Sequence, residues 1–509
     1  MANLKELRDE RLQKLSALKK AGIDPYPQVG DRTAQNLVLV NEFDTHEGSD
    51  VKAVGRITSI RLMGGMCFID TTDESGKIQA VINKKSLEAD SDSNQLDFSQ
   101  LKLLDNGDFI QASGKLQKTN AGEVSVFAQN ITFLAKSLRP MPDIHDGFKD
   151  VERRYRQRYI DLHINPEVKR HIEMRSKVTE VIRQFLITRG FIELETPVLQ
   201  PLYGGASARP FTTYHHKLES DLFLRISNEL YLKRAVVAGF ERVFEFSRDF
   251  RNEGIDRSHN PEFTMLELYQ AYANYEDLMT MTEAMISEVL EAVHGGLKIT
   301  YQGEELDFTP PYNRITFREL IKKETGVDIE NISRDDLIGE IKSRKLKIDL
   351  KNNPPLKDLL DEFYKETCRP NINQPTFLLD YPSTMKPLAK KRSDHPKYTA
   401  SMQLLCMGAE LINAYNELND PIDQLNRLQE EQGVLDRGES EEAHPVDYDY
   451  IRALEIGLPP TAGWGMGIDR FVSFLADQPA IKDVILFPTL RPEEIDPKEF
   501  TIDIDKDVQ

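Results

Sequence analysis

FERVFEFSRDFRNEG (240–254) and HNPEFTMLELYQAY (259–272) read as two strands in which charged groups interrupt otherwise apolar sequence. Side chains alternate along a strand, so Arg251 and Glu253 point one way and Glu267 shares a face with Tyr269. An ordinary solvated edge pair would show the same spacing, so neither segment decides alone. A third stretch, GWGMGIDR (463–470), has glycine at 463, 465 and 467 and then Asp469 and Arg470. Glycine at every second strand position leaves one face bare, and a flat group can lie against the backbone there. Close packing explains such glycines equally well. The stretch is not a Walker A loop, having no Gly-Lys-Ser/Thr, and no ribose-binding acid follows at the offset of a dinucleotide fingerprint.

Outward from these segments, residues from about 150 onward read as one large α+β domain. Helical periodicity covers roughly 167–189 and a further strand lies at DLFLRIS. Residues 313–370 are charged and mostly helical in pattern, an excursion from the sheet. LDRGESEEAHPVDYDYI (435–451) is acidic and reads as a solvated connection. Before 150 the texture changes. VKAVGRITSIR, MCFIDTTD, KIQAVINK, DFIQASGKLQK and EVSVFAQNITFLA are five short strands, compatible with an OB-type barrel and with other small all-β folds. A helix over 1–22, with leucines at 4, 7, 12, 15 and 18, ends at Asp24-Pro25-Tyr26-Pro27. The expected domains are 1–142 and 143–509.

Composition narrows the class. At 509 residues there is enough apolar sequence for more than one core. No run approaches the roughly 18 apolar residues of a membrane span, and MANLKELRDERLQKLSALKK is not a secretory signal. Cys67, Cys368 and Cys406 have neither metal-ligand nor disulfide spacing and read as small buried groups in a reducing, cytoplasmic setting. A net charge of −19 argues against a non-specific nucleic-acid binder.

FRNEG and GMGIDR resemble the second and third signature motifs of class II aminoacyl-tRNA synthetases, and ITRGFIELETPVLQ (187–200), with Pro197, resembles the first. GGASARPF (204–211), ELYLKR (229–234), NELND (416–420) and DVILFPTLRP (483–492) extend the likeness, over nearly the whole chain, to the bacterial-type class II lysyl-tRNA synthetases. The resemblance implies an N-terminal five-stranded OB-fold barrel that reads the anticodon. It also implies a catalytic domain on a mainly antiparallel sheet flanked by helices, and a homodimer interface at the first motif. Substrates would be ATP, L-lysine and tRNA(Lys), with Mg2+ as cofactor.

Site roles follow from the same likeness. Arg251 would hold the ATP α-phosphate and the lysine carboxylate. Glu253, His259 and Asn260 would position the nucleotide, Phe263 would stack on adenine, and Arg470 would lie on its other side. Gly465 and Gly467 would leave room for base and ribose. Glu229 and Glu417 would receive the lysine ammonium, with Gly205, Glu267, Tyr269, Asn413 and Tyr415 completing the pocket. Such a pocket makes chemical sense, because an ammonium carries three donors and is costly to bury without carboxylates. In the barrel, Arg61, Phe68 and Gln79 would contact the anticodon.

The chain departs from the family pattern around nucleotide and metal. A carboxylate expected beside Glu410 is Gln403, a weak ligand for magnesium; Ala409 stands for an arginine, Ala462 for a glycine, and Trp464 for a smaller residue beside the nucleotide face. An active lysine–tRNA ligase is the reading that follows. Gln403 keeps open a non-catalytic RNA-binding or regulatory paralogue, or an enzyme of the same subclass with another amino acid or acceptor.

Overall fold

The computed structural model describes residues 4–90, 94–142, 148–351, 354–438, 443 and 445–500. The chain divides into two compact units. One runs to Lys149 and includes the chain from Pro492 onward; the other is Asp150–Arg491. The sequence boundary was placed at 142/143 with everything after it in the second domain. The described residues from Pro492 group instead with the first unit.

In the first unit the N-terminal helix spans Leu4–Lys20. Five strands follow: β1 (Asp50–Met63), β2 (Met66–Thr72), β3 (Lys77–Asn83), β4 (Phe109–Lys118) and β5 (Val124–Ala135). β1 pairs with both β2 and β4, β3 with β2 and β5, and β4 with β5, so the sheet closes on itself. Alternation along each strand sends Ile57, Cys67, Ile69, Ile78, Ile110, Val126 and Ile131 into one apolar core, joined by Leu18 of the helix.

The second unit contains β6 (Ile192–Glu193), β7 (Leu199–Gln200), β8 (Thr212–His215), β9 (Ser220–Leu224), β10 (Arg242–Phe250), β11 (Glu262–Ala271), β12 (Lys298–Tyr301), β13 (Glu304–Asp307), β14 (Asn313–Thr316), β15 (Thr376–Leu379), β16 (Ser401–Cys406), β17 (Ala409–Asn416) and β18 (Thr461–Gly467). Eight of them form one sheet in the order β14-β15-β16-β17-β18-β11-β10-β6. Its inner pairings are antiparallel, and only the two edge pairings are parallel. The helices Pro166–Thr188 and Tyr275–His294 cover one face and build the main core with Phe244, Leu266, Leu268, Met402 and Leu404. The second of these helices is pinned at both ends. Asn274 accepts from the backbone N–H groups of Glu276 and Asp277, and Gly295 at φ +72° stops it.

The expected excursion carries its own core on the helices Phe317–Thr325, Arg334–Ser343 and Leu356–Thr367. Its first residues, Asn313–Thr316, are the edge strand β14 rather than helix. Of the acidic stretch 435–451, residues 439–442 and 444 lie outside the described residues. The rest is not all solvated: Tyr450 and Ile451 are buried on the helix Tyr448–Gly457. All three cysteines are free and buried.

Candidate active site

Strand register assembles the site on the face of the large sheet opposite the covering helices. One row across the sheet reads Glu245, Glu267, Gly465, Asn413, Gln403; the next reads Tyr269, Gly463, Tyr415. Because the side-chain period is two, these rows share one face, and Leu266, Leu268, Trp464 and Met466 take the other. A cavity of about 470 Å³ opens over the rows. Every residue expected to bind ATP or lysine lines it: Gly205, Glu229, Arg251, Glu253, His259, Asn260, Phe263, Glu267, Tyr269, Glu410, Asn413, Tyr415, Glu417, Gly465, Gly467 and Arg470.

At one end three carboxylates and two phenols converge. Tyr415 Oη donates to Glu229 Oε1 at 2.9 Å, and Tyr269 Oη donates to Glu267 Oε2 at 2.9 Å. Ser227 Oγ donates to the other Glu267 oxygen at 2.9 Å. Burial, the nearby Glu229 charge and Asp249 push the Glu267 carboxyl up to about 8. Burial and the Glu229 charge also hold Glu417 well above the usual carboxylate range, although Lys233 pulls the other way. Glu417 Oε1 has no hydrogen-bond partner.

Lys233, missed in the sequence, lies behind this end. It is fully buried, one helical turn after Glu229 on the helix Glu229–Val237, with its Nζ 2.5 Å from Glu229 Oε1 and in contact with Glu417 Oε2. Burial works against its charge, but the two carboxylates outweigh that and raise its pKa. The only available signal was the i,i+4 spacing of Glu229 and Lys233, which reads equally as a surface pair.

At the other end the Arg251 guanidinium lies over the Phe263 ring, 5.0 Å from its centroid, and its buried Nε has no partner. An unpaired buried donor is costly, so an anion arriving there completes a bond. Arg470 Nη1 donates to the Glu410 carbonyl at 3.1 Å. His259 is exposed, its Nδ1 2.9 Å from Asp256 Oδ2, and Glu253 is also exposed. Asn260 is buried: its amide donates to the Glu262 carbonyl at 2.6 Å, and its Oδ1 accepts from Thr489 N at 3.2 Å. Asp469 is a brace. It accepts from Thr264 N at 2.7 Å and from the Arg175 guanidinium, which fixes the start of the helix that carries Arg470.

Two expectations need correction. The side chains of Trp464 and Ala462 do not border the nucleotide; they point into the core, where Trp464 Nε1 donates to Thr282 Oγ1 at 2.9 Å. Strand alternation requires this once Gly463 and Gly465 face the cavity. Gln403 does lie on the site face, but its Oε1 accepts a hydrogen bond from Tyr381 Oη. Glu410 brings a carboxylate to the cavity, whereas the amide oxygen of Gln403 is already engaged by Tyr381. Among the described residues no three His, Cys, Asp or Glu side chains form a metal cluster.

The glycines divide in role. A Cβ on Gly463 would overlap Glu417 Oε1 and stand 2.5 Å from Tyr269 Cε1, whereas one on Gly465 would meet nothing closer than Met265 Cε at 3.5 Å. Gly463→Ala is thus expected to displace Glu417, costing about 1–3 kcal/mol in a denaturant melt and raising the lysine KM tenfold or more. Gly465→Ala is expected to melt normally and to raise the ATP KM.

In the barrel, Arg61 pairs across strands with Phe68, and Asp70 with Gln79, which puts all four on one outward face. Arg61 reaches Asp70 at 3.5 Å. Gln79 is buried, its Nε2 3.2 Å from Glu123 and its Oε1 accepting from Ser125 Oγ at 3.2 Å. Phe68 is half-buried and outside the barrel core.

A mainly antiparallel sheet carrying an arginine, a bare glycine strand and a terminal arginine on one cavity is the architecture of a class II aminoacyl-tRNA synthetase. The family model described as tRNA synthetases class II (D, K and N) matches residues 150–491, and that described as OB-fold nucleic acid binding domain matches 51–134. The chain is 44% identical to the lysine–tRNA ligase of Carboxydothermus hydrogenoformans over 96% of its own length and 99% of the relative's. It is 45% identical to those of Roseiflexus castenholzii, over 96% and 100%, and Chloroflexus aurantiacus, over 96% and 99%. The chain belongs to the class II lysyl-tRNA synthetases.

Proposed function

We infer that the chain carries out the lysine–tRNA ligase reaction of its family in this cavity, in two steps. The lysine carboxylate attacks the α-phosphorus of ATP in line; a C–O–P linkage forms and pyrophosphate leaves. A terminal ribose hydroxyl of tRNA(Lys) then attacks the adenylate carbonyl, and AMP leaves as the ester forms. The observation that carries this reading is the meeting of Glu229, Glu267 and Glu417 at one end of a single cavity with Arg251 and Arg470 at the other.

Each end has its own work. Glu229 and Glu417 receive the ε-ammonium, and the unpaired Glu417 oxygen is the acceptor that a neutral side chain leaves unsatisfied. Glu267, hydrogen-bonded by Ser227 and Tyr269, orients the α-ammonium. Arg251 holds carboxylate and α-phosphate together and offsets the charge that builds on the phosphoryl oxygens. Phe263 and Arg470 flank the adenine over Gly465 and Gly467. Magnesium on the ATP phosphates would supply further charge neutralisation, with Glu410 as its carboxylate contact.

The partners are tRNA(Lys), met by the outward face with Arg61, Phe68 and Gln79, and a second copy of the chain. Support for the dimer lies at the first motif: β6 is an edge strand, and Ile187, Ile192, Val198 and Leu199 are exposed around it. No helix among the described residues is long and apolar enough to cross a membrane. Three free buried cysteines suit a reducing, cytoplasmic setting.

The test is ATP–pyrophosphate exchange over all twenty amino acids. Lysine alone should drive exchange; exchange with none would move the chain to a non-catalytic paralogue. Lysine affinity should rise with pH. Below about 8 Glu267 holds a proton in the empty pocket, and pairing with an ammonium releases it. The lysine Kd should fall, by at most about tenfold per pH unit for one proton, from pH 6 to 8 and then level off. A Kd that climbs over that range would remove Glu267 from the pocket chemistry.

A further inference from the structure

A second cavity of about 1180 Å³ shares Arg251, His259, Glu410 and Arg470 with the first and is also lined by Gln403 and Lys386. Lys386 follows the short turn Ser383–Met385. Its Nζ donates to Asn413 Oδ1 at 2.8 Å and stands 4.8 Å from the Tyr381 ring centroid. The Tyr381 hydroxyl is the group that occupies Gln403 Oε1. Lys386 thus touches both Asn413 and Tyr381, the two neighbours of Gln403, where the family pattern has a carboxylate and this chain has a neutral amide.

What sets Lys386 apart is what it lacks. Lys357 pairs with Glu431 at 3.2 Å and Lys365 with Asp361 at 2.7 Å. Lys386 has no carboxylate within 4.0 Å among the described residues; its ammonium meets one neutral amide oxygen and the face of the Tyr381 ring. An ammonium carries three donors, and enclosing it without a counter-ion is unfavourable. Desolvation lowers its pKa, against the pull of Glu410, Asp361 and Glu229. With Arg251 and Arg470 on the shared wall, a polyanion entering from the ATP end meets three cations.

We propose that Lys386 is a further catalytic residue, an ammonium that binds the polyphosphate of ATP and serves as a fixed cation where Gln403 no longer contributes a carboxylate contact for a metal. The proposal rests on the reading of the first cavity as the ATP–lysine site. Polyphosphate is favoured over the amino-acid carboxylate because Lys386 lines the second cavity and not the first.

The experiment is calorimetric titration of the full-length protein with inorganic pyrophosphate in EDTA, then with L-lysine, for wild type, Lys386→Met and Lys386→Gln. Glutamine keeps a donor for Asn413 without the charge, so it serves if the methionine variant folds poorly. The expected result is pyrophosphate binding at least tenfold weaker in both variants, with lysine binding within threefold of wild type. The variants should also need more magnesium for half-maximal pyrophosphate exchange. Unchanged pyrophosphate affinity would overturn the proposal. So would a loss confined to lysine, which would place Lys386 at the amino-acid carboxylate. Absence of lysine-dependent exchange in wild type would sink the site reading instead, while the pyrophosphate comparison would still decide whether Lys386 binds a polyanion.

Discussion

Glu417→Gln is expected to raise the lysine KM by about thirty- to several-hundredfold, the effect of about 2–4 kcal/mol lost when one member of a buried charge pair is neutralised. kcat and the ATP KM should change by less than about fivefold, since Arg251 and Arg470 lie at the far end of the cavity. The variant should fold, because Lys233 keeps its 2.5 Å contact with Glu229 when the Glu417 charge is removed. Discrimination should fall at the same time. Wild type is expected to reject methionine, because Glu417 Oε1 would stay buried and unpaired; glutamine offers an amide that tolerates a neutral neighbour better. Steady-state exchange with lysine and methionine as competing substrates measures both. An unchanged lysine KM would remove Glu417 from the ammonium site.

Most of the site residues were legible only through the resemblance to the family; strand alternation by itself put Glu267 with Tyr269 and left one face bare at the three glycines. Once β10, β11 and β18 are placed, Glu267, Tyr269 and the glycines 463, 465 and 467 must lie together, and register brings Asn413 and Tyr415 beside them. The same rule places Trp464 in the core, yet the comparison of one residue type with the family pattern drew it toward the nucleotide. Lys233 and Lys386 were not legible. Lys233 meets Glu417 and Lys386 meets Asn413 only through folding of distant segments. Gln403 was visible as a departure, but its engagement by Tyr381 was not. Domain texture was plain in the short strands of 51–135. The return of the chain from Pro492 to the first unit carries no periodic signal.

Arg251→Ala should lower kcat/KM for lysine activation by about a thousandfold or more, the largest single loss at this site. On the reading of this cavity proposed above, the guanidinium meets both reacting anions, and an aimed donor to a developing oxyanion accounts for about 2.7–4 kcal/mol. Its loss also removes the restraint that keeps carboxylate and α-phosphate in line. Asp249, near the end of β10 and two residues before Arg251, is fully buried, and burial pushes its carboxyl up to about 6 despite Arg225 and Arg251. Removing the Arg251 charge should raise Asp249 further and leave it protonated at neutral pH, so the fold should survive with little change in melting temperature. Arg251→Lys separates charge from geometry. An ammonium cannot span two anions as a planar fork does, so it should recover ATP binding more than kcat. If Arg251→Ala instead raised only the lysine KM and left kcat intact, Arg251 would be a binding group for the carboxylate, and transition-state stabilisation would have to come from Arg470 and Lys386.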